Sequence, residues 1–362
     1  LAEPEAVLHF ATVLVARLAR AHPPVSTTLV PAASAHLVTG GTGGLGLLTA
    51  RWLAQHGGAR ALALASRGGA LTRDSDGEWA AVHATHVTTL VQQCDTSERA
   101  HIGRLVTHVT GTALQMGVWH AAGVLADGVL ARQAVEALRR VYAPKAHGSW
   151  LLHRACARAV VSTYVLFSSV AALLGGAGQA NYSAANACLD ALATWRRACV
   201  RAATSVQWGA WSEVGMAARG GALLRMVALE AASGFGRIGL AQGLGALRAA
   251  VLPQAPSLLG AVPVQWERML GGMPVPAFLS SMVSPDLVQC TRAATIEQSV
   301  DRVVSLDAIL DMVRRTAGGT VDADTPLMEA GVDSLGAVEL RNQLQHAVGG
   351  CVALPTTLMF DY

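Results

Sequence analysis

Charge is scarce in this chain. Lys, Arg, Asp and Glu make up 14% of its 362 residues, against 52% hydrophobic, and the net formal charge is only +3. No run of Lys or Arg interleaved with aromatics occurs, so a nucleic-acid partner is not expected. None of the six cysteines, Cys94, Cys156, Cys188, Cys199, Cys290 and Cys351, stands in a CxxC pair. They read as reduced, buried thiols of an intracellular protein, and no metal site is expected. From Ala159 to Leu189 there is no charged residue, but Gly175, Gly176, Gly178, Gln179, Asn181 and Asn186 interrupt the stretch. No 18-residue apolar run survives, so no membrane-spanning helix is expected. The N-terminus has no Met and no basic segment ahead of a cleavage site. It looks like a cut from a longer polypeptide, so the missing leader says little about organellar targeting, and a cytoplasmic location is the expectation.

What is present is apolar sequence in alternating segments. HLVTG (His36–Gly40) reads as a strand, followed by a glycine loop and a helix over Leu45–His56. Ala61–Ser66, His86–Asp95, Gly117–Gly123, the start of Val161–Leu192, Thr204–Trp211 and the run LLGAVPVQW read as further strands. Helical segments separate them, including Arg132–Ala159 with a kink at Pro144, and Leu240–Val251. This alternation predicts βαβ units in an α/β fold, a Rossmann-like doubly wound parallel sheet over 34–270. Residues 1–33 read as the tail of an upstream region, with a short helix over Glu5–Ala19, and a linker. Residues 271–298 read as a second linker. Over 299–362 the pattern is purely helical, with amphipathic helices at Leu306–Thr316 and Ser334–Ala347, predicting a small all-α helical bundle.

The loop Thr39-Gly40-Gly41-Thr42-Gly43-Gly44-Leu45-Gly46 lies between a predicted strand and a predicted helix. Glycine lets the backbone approach a ligand closely, and the helix N-terminus favours a pyrophosphate. A dinucleotide cofactor is therefore expected. NAD sites usually carry Asp or Glu at the end of the second strand. This chain has Ser66-Arg67 there; Arg67 can pair with a 2′-phosphate and stack on adenine, which favours NADPH. Cys94-Asp95 ends the third strand, where it can meet the adenine edge, and Asp95 equally suits the N-cap of the next helix. In Val161–Leu192, Ser169 falls at the strand end, and Tyr182 and Asn186 share one helix face a turn apart. Ligands of such sheets bind outside the strand C-termini, so the Tyr182 phenol is a candidate proton donor.

Together TGGTGGLG, SRGG, HAAGV, APKAHG, FSS…GQANYSAAN and QWGAW resemble the ketoreductase domain of modular polyketide synthases, a branch of the short-chain dehydrogenase/reductases. The resemblance covers 35–270. Most of the wider superfamily carries Lys four residues after the Tyr, where this chain has Asn186. In polyketide ketoreductases Lys and Asn have exchanged places, and Lys145 in Pro144-Lys145-Ala146-His147-Gly148 matches the displaced lysine. The resemblance implies a catalytic set. Tyr182 protonates a carbonyl oxygen as hydride arrives, and Lys145 lowers the phenol from its usual pKa of about 10. Ser169 hydrogen-bonds the same oxygen, and Asn186 holds a water or a backbone group in a proton relay. Ala121, Ala122 and Gly123 are implied to border the cofactor.

His120–Asp127 resembles the LDD-containing loop of B-type ketoreductases. Ala126 replaces the first Asp, and Asp127 matches the second. A-type enzymes carry Trp eight residues before the Tyr, where this chain has Leu174. B-type stereochemistry and a D-configured β-hydroxyl are implied. Trp211–Gly236 resembles a mobile substrate lid, with Met216 at its mouth. The frame DTPLMEAGVDSLGAVELRNQL, with Asp324, Pro326, Leu327, Gly331, Glu339, Leu340 and Arg341, resembles an acyl carrier protein. Ser334 is then the attachment point of 4′-phosphopantetheine, placed by a phosphopantetheinyl transferase, its phosphate favoured by the helix N-terminus. The whole implies a reductase-plus-carrier piece of a type I polyketide synthase, working beside ketosynthase and acyltransferase domains. It would reduce a tethered β-ketoacyl thioester, whose tether raises local concentration to roughly millimolar. Two other readings stand beside this one. An inactive reductase serving as scaffold for the carrier is opposed by the intact Lys145, Ser169, Tyr182 and Asn186. A free-standing dehydrogenase of small alcohols is opposed by Asn186 and the fused carrier.

Overall fold

The computed structural model describes residues 6–9, 12–15, 18–20, 35–56, 58–71, 76–128, 130, 133–176, 178–214, 234–270, 275–282, 305–317, 340–341, 343–345 and 347. Its first elements correct an expectation. Ala6–His9 (β1) and Thr12–Val15 (β2) form an antiparallel pair, Ala6 opposite Val15 and His9 opposite Thr12, where a helix over Glu5–Ala19 is expected. Val7, Thr12, Val13 and Val15 are β-branched and favour extended backbone. The segment has no polar face from which a helical period can be read.

The chain divides into two compact units. One gathers His22–Ala228 and Phe235–Pro263, the other Leu1–Ala21, Leu229–Gly234 and Val264–Tyr362. The first holds seven parallel strands: β3 (Ala35–Thr39), β4 (Ala61–Ser66), β5 (Thr88–Gln93), β6 (Met116–His120), β7 (Val161–Ser169), β8 (Thr204–Trp208) and β9 (Leu258–Ala261). Their order across the sheet is β5-β4-β3-β6-β7-β8-β9, the doubly wound Rossmann-like arrangement expected. The helices are α1 (Gly44–His56), α2 (Asp76–His83), α3 (Arg99–Thr112), α4 (Val135–Tyr142), α5 (Gly148–Ala155), α6 (Ala171–Leu174), α7 (Ala180–Ala198) and α8 (Leu240–Ala250).

Side chains alternate between the two faces of the sheet, so each strand feeds two cores. Val38, Leu64, Val165 and Phe167 pack with Leu47, Leu48 and Leu53 of α1 and Leu247 of α8. Their neighbours Leu37, Val118, Tyr164 and Leu166 pack with Ile102 and Leu105 of α3, Leu152 of α5 and Leu189 of α7. Full burial of each such leucine contributes about 1.5–3 kcal/mol. β3 pairs with β4 on one side and β6 on the other, with Thr39 opposite both Ala65 and His120. The strand order therefore reverses at β3, and a crevice opens outside its C-terminal end.

Two further differences have local causes. The last strand stops at Ala261, because Pro263 cannot donate to a ladder. The kink expected at Pro144 is a π-helical turn, Ala143–His147, between α4 and α5. Proline lacks the N–H that a regular helix needs there, and an extra residue is accommodated instead. In the other unit, α9 (Trp266–Leu270) lies near a short turn at Ala277–Leu279. Leu270, Leu279 and Met282 form a small cluster with Leu18, and Leu18 N donates to Phe278 O at 2.8 Å. Helix α10 (Leu306–Ala317) matches the first helix expected for the carrier. Met216 with most of the expected lid, and Ser334, lie outside the described residues. Among those described, no helix is long and apolar enough to cross a membrane and no cluster suits a metal ion.

His36 at the start of the sheet predicts a pH dependence. Trp119 Nε1 donates to its Nδ1 at 3.2 Å, so the proton sits on Nε2, which finds no acceptor among the described residues. Burial pushes its pKa down to about 4. The unfolded chain takes up this proton near pH 6.5 and the folded chain only near 4, so stability present above 6.5 is lost as pH falls to 4. Between pH 7 and 5 the loss at this residue is about 2 kcal/mol. Denaturant midpoints at the two pH values check it, and His36→Leu is expected to lose less over the same step.

Candidate active site

The strand C-termini bring the expected cofactor residues to one edge of the sheet. Thr39 ends β3, and Gly40–Gly43 turn the chain into α1, on which Gly44, Leu45 and Gly46 lie. Gly40 has φ +69° and Gly44 φ +48°, the left-handed region that glycine occupies without strain. The packing is closer still at Gly46, where a Cβ would stand 2.1 Å from Gly40 O. A Cβ on Gly40 would stand 2.8 Å from the carbonyl of Ala121, and one on Gly41 2.6 Å from Val38 O. The result is a bare backbone cradle at a helix N-terminus, which suits a dinucleotide pyrophosphate. Thr42 is buried within it.

Around the cradle, Ser66 ends β4, and the Arg67 side chain is exposed just beyond. Ser66 O accepts from Cys94 N at 2.8 Å. Burial raises the Cys94 thiol to about 11, so it is a neutral wall residue. Asp95 Oδ1 accepts from Ser97 N at 2.9 Å and from Ser97 Oγ at 2.7 Å. Burial opposes its charge, but the Ser97 hydrogen bonds and the positive charges of Arg67 and His101 prevail and hold its pKa below the ordinary value. Asp95 is not the N-cap expected for the next helix: α3 begins at Arg99 with Glu98 at the N-cap position and no side-chain cap, and Asp95 closes a local turn on Ser97 instead. Ala121, Ala122 and Gly123 follow β6 directly, and Ala121 N donates to Thr39 O at 3.0 Å.

One prediction follows from the cradle. Gly46→Ala forces α1 away from the loop, and a misplacement near 1 Å is expected to weaken the binding of a nicotinamide dinucleotide about 100-fold, measured by fluorescence titration of the folded variant.

Tyr182 and Asn186 meet Lys145 although it comes from a different element. Tyr182 and Asn186 lie on α7, and Asn186 Nδ2 donates to Tyr182 O at 2.8 Å. Lys145 comes from the π turn. Its Nζ donates to Asn186 Oδ1 at 2.8 Å and to Phe167 O at 2.9 Å, and it stands 5.2 Å from the centre of the Tyr182 ring. Gly123 makes room, since a Cβ there would lie 2.7 Å from Lys145 Cε. Ser169 ends β7, its Oγ accepting from Ala171 N at 3.2 Å and lying close enough to the Tyr182 phenol to favour its ionised form.

The electrostatics differ from the expectation that Lys145 lowers the phenol's pKa. Burial raises Tyr182 above its ordinary value and outweighs the hydrogen bonds of Asn186 and Ser169, while the charge of Asp127 adds to the rise. Burial also lowers Lys145 to about 7, opposed by the charge of Asp190. The phenol is thus held protonated, the state a proton donor requires. The ammonium can act once the proton leaves, by attracting the phenolate.

Asp127 is exposed, and its Oδ2 accepts from Gln179 Nε2 at 3.1 Å. Asn181 Nδ2 donates to Ala126 O at 2.8 Å, and Gly128 N to Gly178 O at 2.8 Å. These bonds tie the loop after β6 to the start of α7. Sequence reasoning missed Asp190, one turn beyond Asn186, which accepts from Ser205 Oγ at 2.6 Å and Gln207 Nε2 at 2.8 Å. A carboxylate four residues after Asn186 on an otherwise uncharged helix face was the signal. His120 was missed as well.

Comparison with known proteins bears on two regions. Residues 34–213 match the KR domain family and residues 307–362 the phosphopantetheine attachment site family. Polyketide synthase GfsA of Streptomyces halstedii is 35% identical over 99% of this chain, and the spectinabilin polyketide synthase system protein NorB of Streptomyces orinoci 36% over 90%. The chain spans only 5% and 16% of their lengths. Among solved structures, A-type ketoreductases from a modular polyketide synthase superpose with a TM-score of 0.70. They are 33% identical, over 80% of this chain and 60% of theirs. A C2-type ketoreductase reaches a TM-score of 0.64 at 29% identity, over 75% and 57%.

Proposed function

The chain belongs to the KR-domain family of type I polyketide synthases and carries a phosphopantetheine attachment region, and from that premise we propose that it reduces a carrier-tethered β-ketoacyl thioester to the β-hydroxyacyl thioester with NADPH. The observation that carries this reading is the meeting of Lys145 Nζ with Asn186 Oδ1 at 2.8 Å beneath the Tyr182 ring, beside a glycine cradle at the sheet's switch point.

The residues of the cradle, Thr39 to Gly46, would hold the pyrophosphate of NADPH, with Arg67 on the 2′-phosphate and Cys94, Asp95 and Ala121–Gly123 along the remainder. When bound, NADPH supplies a hydride to the β-carbonyl carbon. Tyr182 Oη gives its proton to the carbonyl oxygen, so the ketone becomes a secondary alcohol and the phenol a phenolate. Ser169 Oγ donates a hydrogen bond to the same oxygen as its charge grows. Lys145 stabilises the phenolate, and Asn186 holds Lys145 in place. Asp127 on its pinned loop and Leu174 favour B-type stereochemistry, although the solved relatives named above include A-type and C2-type enzymes. Ser334 would carry the phosphopantetheine arm through a phosphodiester.

NADPH consumption with a β-ketoacyl thioester mimic tests the reading. Turnover with NADPH well above that with NADH is expected, yielding the D-configured alcohol. A folded chain without turnover overturns the reductase reading in favour of a scaffold. Intact-mass measurement after incubation with a phosphopantetheinyl transferase is expected to show one added arm, lost in Ser334→Ala.

A further inference from the structure

The expected catalytic set leaves out His120, yet this side chain joins two parts of the site. It ends β6, is fully buried, and lies opposite Thr39 across the strand pair. Its Nδ1 is 2.7 Å from Thr39 Oγ1 and its Nε2 3.3 Å from Lys145 O. A backbone carbonyl can only accept, so Nε2 carries the proton. Nδ1 is then bare and accepts from the Thr39 hydroxyl. One neutral imidazole spans the last residue before the glycine cradle and the backbone of the catalytic lysine.

The π turn makes this second contact consequential. Lys145 sits within Ala143–His147, where Pro144 removes one donor and helical bonding is irregular. Gly148 N donates to Ala143 O and to Lys145 O. His120 adds a side-chain donor to the Lys145 carbonyl from the central sheet. At the other end of the same residue, Nζ must satisfy Phe167 O and Asn186 Oδ1 together. A long flexible side chain meets two fixed acceptors only if its backbone is held.

We infer that His120 is a positioning residue, whose Nε2–H anchors the π turn so that Lys145 Nζ stays between Asn186 and Phe167. It acts through Lys145 and touches neither substrate nor the reacting atoms. Its effect on turnover rests on the reductase reading, while its effect on Lys145 does not.

The pair His120→Gln and His120→Asn tests it in the full chain. The glutamine amide reaches where Nε2 stands and keeps a donor for Lys145 O. The asparagine amide reaches only toward Thr39. In the cofactor-free chain, Lys145 is expected to resist an amine-acylating reagent in the wild type and in His120→Gln. In His120→Asn it is expected to be labelled roughly ten-fold faster, read by peptide mass spectrometry. In turnover, a displacement near 1 Å predicts for His120→Asn a fall in kcat of roughly 10- to 100-fold, with KM for NADPH changed less than about three-fold. His120→Gln is expected to keep most of kcat. Equal labelling in a folded pair, or an Asn effect confined to KM, overturns the inference. Should His120→Asn fail to fold, a folded His120→Gln with exposed Lys145 overturns it, and one with protected Lys145 supports it. A wild type without turnover whose Lys145 labelling still follows this pattern removes the reductase reading and leaves the anchor standing.

Discussion

Tyr182→Phe is expected to fold as the wild type does, bind NADPH with unchanged affinity, and reduce a β-ketoacyl thioester mimic about 10³- to 10⁴-fold more slowly. The substitution removes one oxygen and little else. The ring keeps its packing against Val141, Ala171 and Ala185, and the Tyr182 backbone carbonyl keeps the hydrogen bond it accepts from the Asn186 amide. What is lost is the phenol proton that α7 holds beside Ser169. Because burial holds this phenol protonated, its removal cannot be offset by a shift in pH within the neutral range. Melting temperature, NADPH titration and initial rates on the same preparation decide the matter. A rate within a few-fold of wild type would remove the phenol from the chemistry.

Lys145→Met is expected to lower kcat about 10²- to 10³-fold, the scale of losing one preorganised donor at a developing charge. It separates two pH dependences that run in opposite directions. Burial brings the folded lysine from 10.5 to about 7, so the ammonium, and with it the wild-type rate, declines as pH rises through 7. The unfolded chain holds the same proton up to 10.5. Wild-type stability relative to Lys145→Met therefore rises with pH between about 7 and 10.5. Removal of the Asp190 charge, which opposes the lowering, is expected in Asp190→Asn to move the fall in rate to lower pH. A wild-type rate flat across this window, with substrate saturating, would count against a protonated lysine in the rate-limiting step.

Much of the fold could be read from the sequence because its cause is local. Alternating apolar strands and helices specify a doubly wound sheet, and the glycine loop announces the switch point. The one-turn spacing of Tyr182 and Asn186 places them on a common face without any tertiary information. Lys145 is another case. It stands 41 residues from Asn186, and no periodicity connects them; only the resemblance to polyketide ketoreductases brought it into the set. The sign of the Tyr182 shift was missed because burial, which dominates it, depends on the packing of four separate elements. The β1–β2 hairpin was misread because an apolar segment with alanine and leucine shows no decisive period. His120 and Asp190 escaped notice because each looks, in sequence, like one polar residue at the end of an apolar run.

The π turn at Ala143–His147 also limits how this region can change. A regular helix advances about 100° per residue. Loss of one residue from the turn would restore that regularity and rotate all of α5 by the same amount. Leu151 and Leu152, now in the core, would swing off their face of the sheet, and Lys145 would lose its aim at α7. Residues 143–147 should therefore accept changes of side chain at most positions other than Lys145, but no deletion or insertion. At this point in the fold, length is under stricter constraint than composition.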